Sequence, residues 1–590
     1  MTTEATSSFP RYEIDERPPP LMAAGLGVQS ALLAVAPIAL IPILLAQAAD
    51  SSDAFSAWAV FAMLIVNGAG AIVQAFRVGP LGAGLFIVPY PSPTTIPFCI
   101  LALQEGGTGT LAALVVVSGA FQIALSLRMS LLRRVITPAV SGAILILLMI
   151  TLAPVLFRNL DSVPDGAHEA AGPVCILVTF AVILGLLIRG SATWRVWASI
   201  IGIVAGSVAG AFFGIYDFEP AKEAAIAGLP LEGWPGLALS FDATFWALLP
   251  VFLFLSVVLV LQGSSITLST QRVSWRTPRA MDFRRVQGAA AMTGVVNVAS
   301  GLAAVMPITT SPRGVAFAQQ TGCASRQVAV ATGALIVAAA FFPKLWSLLL
   351  GIPDTVIAVY MILLVGPLIV EGMKLIVQDS PDYRTSLVIG TALTVGIGLQ
   401  TGLLPLPIGD LWEAVLQKAL TGGGLALVLL TVFAEFRRQR RSRLQVDLSM
   451  DELPRVNDFV ERFAAGRGWS PEMTARVQAA SEETMLVLQE GHEDETGERR
   501  RRLVVDIGSA GPAAELEFIS VGGGADNLED RIALLSKQLP AETELGAPDL
   551  ETAVERDVSL RLMQHYATAV SHRQYFETEV VSLRVAPPQR

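Results

Sequence analysis

The sequence is short of charged residues and of histidine. Of its 590 residues, 15% are charged and four are histidine, whereas 53% are hydrophobic. Soluble globular proteins carry about 25% charged residues, so the shortage excludes an ordinary soluble protein. It is confined to Leu21–Phe436, and beyond Arg437 the composition becomes normal. We therefore predict a membrane domain over residues 21–436, followed by a water-soluble domain.

Other functional classes are excluded by what the chain has little of. Its three cysteines lie in apolar segments without metal-ligand spacing or a paired framework, so we expect buried free thiols, no metal and no cofactor. The net charge of -9, with no basic face outside the membrane-flanking loops, argues against a nucleic-acid partner. Residues 1–20 are acidic and contain the run Pro18–Pro20, unlike a signal peptide, so they are expected to be a tail before a retained first helix.

The apolar runs predict fourteen membrane segments. A helix that spans a bilayer needs about 20 mostly apolar residues. Most runs meet this length without interruption, but segments three and ten, at 80–103 and 304–319, are broken by proline and glycine. In chain order the fourteen begin near Leu21, Phe55, 80, Thr110, Val135, Pro173, Val196, Thr244, Gln287, 304, Arg326, Leu345, Ser386 and Asp410.

The charges of the loops predict the orientation. Cytoplasmic loops are rich in Lys and Arg. With fourteen segments, basic residues such as Arg128, Arg189 and Arg276 fall on one side, and acidic residues such as Asp161 and Glu232 fall on the other. We therefore expect a multi-pass protein of the inner (plasma) membrane with both termini in the cytoplasm.

The two broken segments hold the same place in each set of seven. They read Tyr90-Pro-Ser-Pro-Thr-Thr-Ile-Pro97 and Pro307-Ile-Thr-Thr-Ser-Pro-Arg-Gly314. Proline removes a backbone donor, so a helix stops or starts there, and such backbone is tolerated in a membrane where protein or a wet cavity satisfies it. This arrangement predicts a seven-plus-seven inverted repeat with a substrate site near the midplane. The alternative is a pair of proline kinks in helices that only pack together.

A series of motifs in the second half resembles a known family. It consists of Asn297-Val-Ala-Ser-Gly-Leu302, Pro307-Ile-Thr-Thr310, Thr321-Gly-Cys-Ala-Ser-Arg-Gln-Val328, Phe342-Pro-Lys344, Ile352-Pro-Asp-Thr-Val356 and Gly366. At these spacings the series resembles the xanthine/uracil permeases, the nucleobase:cation symporter-2 or nucleobase–ascorbate transporter family. The likeness extends over about residues 20–435, and Gly25–Ser30 resembles the family's first-helix motif with its histidine replaced by Ser30.

The resemblance implies a secondary transporter rather than an enzyme. It implies fourteen helices in a core and a gate domain, with short strands and half-helices framing the solute. Expected partners are uracil, xanthine or urate as substrate, H+ or Na+ as coupling ion, the lipid bilayer, and a second copy in a homodimer. Transport would follow an elevator-type or rocking alternating-access mechanism. The candidate substrate-binding residues are Gln29, Ser92, Thr94, Thr95, Gln262, Ser264, Thr309, Thr310 and Arg313.

The site departs from the family at its two acidic positions. An ungapped count places Arg313 where the family has a Glu or Gln, and Ser264, with Gln262 two residues before, where it has a Glu. A fixed positive charge beside two half-helix N-termini favours an anion, and the related sulfate-permease fold also has an arginine here. An anion transporter therefore stays an alternative, for a deprotonated purine such as urate or for a small anion. A further alternative is that Arg313 pairs with a carboxylate or with the lipid interface and contacts no substrate. Gln262, Ser264 and Gln29 could likewise serve helix packing instead of substrate binding.

Residues 437–445 are predicted to be a basic linker and 446–590 a cytoplasmic α+β sandwich domain. We predict helices at Leu453–Arg467, Met473–Glu490 and Val558–Val570, and strands at Arg502–Ile507, Glu515–Val521 and Glu577–Val585. This order resembles the histidine-kinase-type ATPase fold in its anti-sigma-factor form. Leu486 stands near the magnesium-binding Asn position, and Ser520 or Val521 precedes Gly522–Gly524 where an Asp is needed. A regulatory, non-catalytic domain is expected, the alternative being a membrane-anchored sensor with an ATPase-like output domain.

Overall fold

The protein is described from a computed structural model. It describes residues 10–587 except 50, 93–94, 130–136, 161–162, 164–166, 217–221, 223–224, 278, 345–350, 379–380, 407–412, 414–415, 437–441, 491–500, 511–512, 522–526, 530–549 and 577. The chain divides into two compact units, Met1–Thr277 with Arg285–Thr431, and Pro278–Arg284 with Val432–Arg590.

Helices make up most of the first unit. They are α1 Pro20–Ala48, α2 Asp53–Ala75, α3 Ile96–Leu127, α4 Pro138–Leu160, α5 Ala171–Arg189, α6 Ala192–Phe212, α7 Ala243–Val273, α8 Phe283–Leu302, α9 Arg313–Thr321, α10 Arg326–Ala340, α11 Asp354–Val365, α12 Pro367–Gln378, α13 Tyr383–Gln400 and α14 Gly424–Phe436. Helix α3 carries predicted segments three and four, and Gly107, with a φ of 76°, interrupts its helical backbone between them.

Several helices are apolar enough for a membrane. Among the described residues, α1, α2, α3, α5 and α7 contain stretches long and apolar enough to cross a bilayer, and five further apolar helices are shorter. This agrees with a multi-pass membrane protein. The beginnings of segments five, twelve and fourteen, predicted at Val135, Leu345 and Asp410, lie outside the described residues, and the number fourteen stays a prediction.

Helices cross at paired glycines in three places. A Cβ atom added to one glycine of each pair would lie within 3 Å of the other's carbonyl oxygen. The pairs are Gly68 with Gly333, Gly119 with Gly294, and Gly142 with Gly372. In terms of the predicted segments, they join two with eleven, four with nine, and five with twelve. In a seven-plus-seven repeat, each segment corresponds to the segment seven places away. The pair of segments two and eleven then corresponds to the pair nine and four, and the pair five and twelve corresponds to itself, as expected of an inverted repeat.

Two short strands lie where the broken segments were predicted. Strand β1, Pro89–Pro91, pairs antiparallel with β2, Ile308–Thr310, and Tyr90 is opposite Thr309. After each strand the chain turns directly into a helix, α3 or α9. All residues of both strands are buried. The broken segments thus meet in the interior of the first unit as paired strands. Continuous helices that are only kinked at proline would not form such a pair.

The second unit is built on one sheet. Its strands are β3 Ser442–Asp447, β4 Arg502–Ala510, β5 Ala513–Val521, β6 Ala569–Gln574 and β7 Thr578–Val585, in the antiparallel order β3-β4-β5-β7-β6. Its helices are α15 Leu453–Arg467, α16 Pro471–Glu490 and α17 Leu550–Tyr566. Apolar residues of both helices and strands form one core, including Val460, Val477, Phe518 and Leu560.

Two predicted boundaries in this unit shift. The helix predicted at Val558–Val570 ends at Tyr566, because Ala569 and Val570 already pair with β7. The first strand begins at Ser442, inside the predicted linker, because Arg443 donates to both carboxylate oxygens of the buried Asp506 at 2.7 and 2.9 Å. Residues 437–441 and Gly522–Gly524 lie outside the described residues.

Candidate substrate site

The candidate site forms around the paired strands because proline prevents helix there. Pro89, Pro91 and Pro307 offer no N–H to a helix, and strand pairing satisfies the backbone instead. Beyond the strand register, the Ser92 N–H donates to the Pro307 carbonyl at 3.0 Å and the Ser311 N–H to the Val88 carbonyl at 3.2 Å. Non-helical backbone is thereby accommodated inside the apolar unit.

A buried amide network fixes β2. Asn297, in α8, accepts from the Ile308 N–H at 2.7 Å and donates to the Ile308 carbonyl at 3.1 Å. The same Asn297 amide donates to Gln122 Oε1 of α3 at 2.8 Å. All three residues are at most 1% exposed. The network therefore joins β2 to both α8 and α3.

Tyr90 is the point at which three elements of the site meet. Its hydroxyl interacts with the side chain of Gln262 of α7, and the Arg313 guanidinium lies 5.4 Å from the centre of its ring. Gly263 lets β2 approach α7, since a Cβ there would lie 3.3 Å from Thr310 Oγ1. The structure therefore brings Gln262, Thr310 and Arg313 to the same pair of strands.

Two buried polar atoms in this group have no partner within the described structure. They are Gln262 Oε1 and Thr309 Oγ1, on residues that are 1% and 0% exposed. A buried polar atom without a hydrogen bond costs about 1–3 kcal/mol. Most such atoms in native proteins have a partner, so these two atoms keep a hydrogen-bonding capacity that no described residue uses.

Arg313 begins α9, and its own N–H donates to Ser311 Oγ at 3.2 Å. The guanidinium forms no ion pair among the described residues. These residues therefore do not support the alternative in which Arg313 pairs with a carboxylate of the protein. It lines a cavity of about 20 Å3 together with Ser30, Phe86, Phe317 and Tyr360. That volume holds one water molecule and no ring, so this conformation is closed around the site.

The other predicted residues have more local partners. The Thr95 hydroxyl donates to the Ser92 carbonyl at 2.9 Å and shapes the turn before α3. The Ser264 hydroxyl donates to Val260 of its own helix at 2.7 Å, and residues two apart on a helix do not share a face, so Ser264 does not join Gln262 at Tyr90. Gln29 is 1% exposed beside the cavity-lining Ser30, and Thr94 lies outside the described residues.

Sequence reasoning missed the aromatic residues and the amide network. Tyr90, Phe86, Phe317 and Tyr360 were not among the candidates, although Tyr90 opens the quoted motif of segment three. Asn297 was used only as a mark of resemblance. A polar amide in an otherwise apolar helix is the signal that could have found Asn297, because such residues in membrane segments are costly and functional.

The described residues contain no cluster of three or more His, Cys, Asp or Glu that could hold a metal ion.

Apolar helices with an interior site of half-helices and paired strands define a multi-pass membrane transporter. The sequence profile of the xanthine/uracil permeases, described as "Permease family", matches residues 22–404. The chain belongs to this family, which confirms the resemblance drawn from the motifs between Asn297 and Gly366. Its members are transporters and not enzymes.

Curated relatives agree with the family. The xanthine permease XanQ of Escherichia coli (strain K12) is 26% identical over 444 residues, which are 71% of this chain and 93% of XanQ. A putative purine permease of Clostridium perfringens, CPE0397, is 25% identical over 68% of this chain and 88% of its own. The nucleobase transporter PlUacP of Paenibacillus larvae is 23% identical over 69% of this chain and 92% of its own.

Solved structures of two transporters align more loosely. The transmembrane domain of a cyanobacterial bicarbonate transporter, BicA, is 18% identical with a TM-score of 0.39, covering 71% of this chain and 99% of its own. The murine anion transporter Slc26a9 in its inward-facing state is 13% identical with a TM-score of 0.42, covering 76% of this chain and 75% of its own.

Proposed function

We propose that the chain is a secondary transporter of nucleobase-like solutes such as uracil, xanthine or urate, and that its site is the surroundings of β1 and β2. The observation that carries this proposal is the pair of buried atoms without partners, Gln262 Oε1 and Thr309 Oγ1, in a member of a nucleobase permease family. A nucleobase edge carries both donors and acceptors, so it can satisfy the two atoms together.

Each predicted residue receives a role in this proposal. Gln262, Thr309 and Arg313 contact the ring edge directly. Thr310, Gln29 and Ser264 line the surroundings, and Ser92 and Thr95 shape the turn before α3, while Thr94, outside the described residues, stays a predicted substrate contact. That turn orients the first N–H groups of α3 toward the solute, as the Ser311 turn does for α9, since helix N-termini attract electron-rich groups.

Transport proceeds by alternating access in this proposal. The cavity beside Arg313 is too small for a ring in the described conformation, so a solute enters only when the elements around it separate. The glycine pairs that exchange under a shift of seven segments support the fourteen-segment inverted repeat of an elevator-type or rocking transporter. A homodimer, both termini in the cytoplasm and coupling to H+ or Na+ complete the proposal.

The second unit serves regulation, folding or oligomer contacts rather than catalysis in this proposal. Leu486, an apolar residue, stands near the position where the ATPases that this unit resembles bind magnesium through Asn, and Ser520 is buried in β5. Binding of ATP to the full-length protein, measured by displacement of a fluorescent nucleotide, would contradict a non-nucleotide role.

A binding screen tests the proposed function. Purified full-length protein is heated with uracil, xanthine, urate, ascorbate, sulfate or bicarbonate, and its melting temperature is recorded. A ligand raises stability by about 2.7 kcal/mol at a hundred times its Kd, so at least one nucleobase is expected to shift the melting temperature. A shift with sulfate or bicarbonate alone would contradict the proposal. Gly390→Ala, at an exposed position, is a control that should show the same shifts.

A further inference from the structure

We propose that the solute binds as a ring anion, the deprotonated form of a planar acidic base that keeps at least one N–H, with Arg313 as its counter-charge. This inference rests on the proposed function, because it specifies the ionic form of the nucleobase at the same site. Three independent features of the site lead to it, namely a charge, a pair of polar atoms and the walls of the cavity.

The first feature is a cation without a counter-charge. Arg313 is partly exposed and lines the small cavity, and its guanidinium lies over the Tyr90 ring and near Tyr360, with no ion pair to a carboxylate within the described structure. Segments one, three, eight and ten contain no Asp or Glu away from their ends. A charge removed from water is costly unless it is paired, so an anionic solute would remove a cost that a neutral solute leaves in place.

The second feature distinguishes a ring from an inorganic anion that carries no hydrogen, such as sulfate. Gln262 Oε1 only accepts hydrogen bonds, so it needs a donor on the solute, whereas the Thr309 hydroxyl can donate to an anionic atom. Sulfate has no hydrogen to donate to Gln262. A deprotonated purine such as urate has both an ionised edge for Arg313 and N–H groups for Gln262.

The third feature is the aromatic character of the cavity walls. Phe86 and Phe317 lie with their ring centres 5.2 Å apart, and both line the same cavity as Arg313 and Tyr360. Flat apolar walls with a few convergent polar groups are typical of sites for planar organic ligands. A small, strongly hydrated anion would gain nothing from them.

Equilibrium binding to the full-length protein tests the inference. Urate, which is ionised at neutral pH, is compared with uracil, which is neutral. The wild type is expected to bind urate more tightly than uracil. Arg313→Gln is expected to weaken urate about tenfold to a hundredfold, because a hydrogen bond to a charged group is lost, and to weaken uracil by a clearly smaller factor, because a neutral ring loses no ion pair. Arg313→Lys, which keeps the charge without the planar fork, should lie between.

A second variant keeps the test independent of how Arg313→Gln folds. Gln262→Glu adds a negative charge beside Tyr90, so it should weaken urate more strongly than it weakens uracil. Equal affinity of the wild type for urate and uracil, or equal losses for both ligands in the variants, overturns the ring-anion inference and leaves the nucleobase function standing. Absence of binding for every base in the wild type overturns the proposed function itself.

Discussion

Asn297 forms hydrogen bonds to both backbone groups of Ile308, at 2.7 Å to its N–H and 3.1 Å to its carbonyl. A single side chain thus takes the place of a neighbouring strand for Ile308, the residue of β2 that is opposite Pro91 of β1. Because Ile308 precedes Thr309 directly, the position of the unpartnered Thr309 hydroxyl depends on this contact. Gln122 accepts from the same amide, which fixes the orientation of Asn297.

Removal of the Asn297 amide should disable the site. In Asn297→Ala the two Ile308 backbone groups and Gln122 Oε1 lose buried partners, at about 1–3 kcal/mol for each group left unsatisfied. We expect a clearly lower melting temperature and loss of solute uptake. Ser300→Ala is the matched control, since Ser300 is equally buried in the same helix but bonds only to Val296. Uptake by Asn297→Ala at the level of Ser300→Ala would show that β2 needs no such support.

Gln262 and Ser264 should differ in their importance for binding. Gln262→Leu removes both the hydrogen bond to Tyr90 and the free acceptor, so a loss of affinity of about tenfold or more is expected. Ser264→Ala removes a hydroxyl that is already bonded to Val260, and its effect should stay below about threefold. Isothermal titration with a solute identified in the binding screen measures both. A larger loss in Ser264→Ala would place the solute on the other face of α7.

Gly333 should tolerate no side chain. A Cβ at this position would lie 2.6 Å from the Gly68 carbonyl oxygen, which forces α2 and α10 apart, and overpacking of this kind costs about 1–3 kcal/mol. Gly333→Ala should therefore lower the melting temperature in detergent by several degrees. Gly390→Ala, with no atom within 4 Å of its Cβ, should leave it unchanged. Equal melting temperatures would contradict the close crossing of these helices.

The N-terminal segment of the first unit should loosen in acid. Tyr12 and Ile14 hydrogen-bond to the backbone between Gly322 and Arg326, and Glu16 accepts from Arg276 at 2.6 Å. The hydrogen bond from Arg276 holds the pKa of Glu16 below its ordinary value of 4.5. This contribution is complete above that value and is lost as the pH falls through the lowered pKa.

Hydrogen exchange of residues 10–16 measures this loosening. In the wild type, exchange should be slow near pH 7 and faster at pH values below the lowered pKa, after correction for the intrinsic exchange rate. In Glu16→Gln, exchange should be fast at both pH values. The control is Asp15→Asn, because the pair of Asp15 with Arg326 is largely exposed and such pairs contribute little. Slow exchange in Glu16→Gln near pH 7 would assign the attachment of the segment to backbone contacts alone.

The sequence predicted the position of the two broken segments better than the contacts around them. The prolines of segments three and ten are local signals, so the strands at Pro89–Pro91 and Ile308–Thr310 and the helix start at Arg313 could be located. Tyr360, by contrast, reaches the site only through folding, and no local pattern marks it. An ungapped count favoured Ser264 as the counterpart of a carboxylate, but the helix turns Gln262 toward Tyr90 instead.

The tail shows the same division between local and distant causes. Its amphipathic helix Leu453–Arg467 was predicted with its observed bounds, because apolar periodicity and the following Gly468, with a φ of 67°, are local. Strand β3 was missed at its beginning, since Arg443 reads as part of a basic run until its distant partner Asp506 is known. The end of α17 was overestimated because the pairing of Ala569 with Arg584 is not visible in the sequence alone.

Uptake of radiolabelled xanthine into proteoliposomes tests the central claim most directly. Liposomes with wild-type protein are compared with protein-free liposomes and with liposomes containing Asn297→Ala, under an imposed proton or sodium gradient. We predict saturable uptake by the wild type, reduced by an excess of unlabelled urate, and none in the two comparisons. No uptake of xanthine, urate or uracil by a correctly folded wild type, with accumulation of bicarbonate or sulfate instead, would contradict the account.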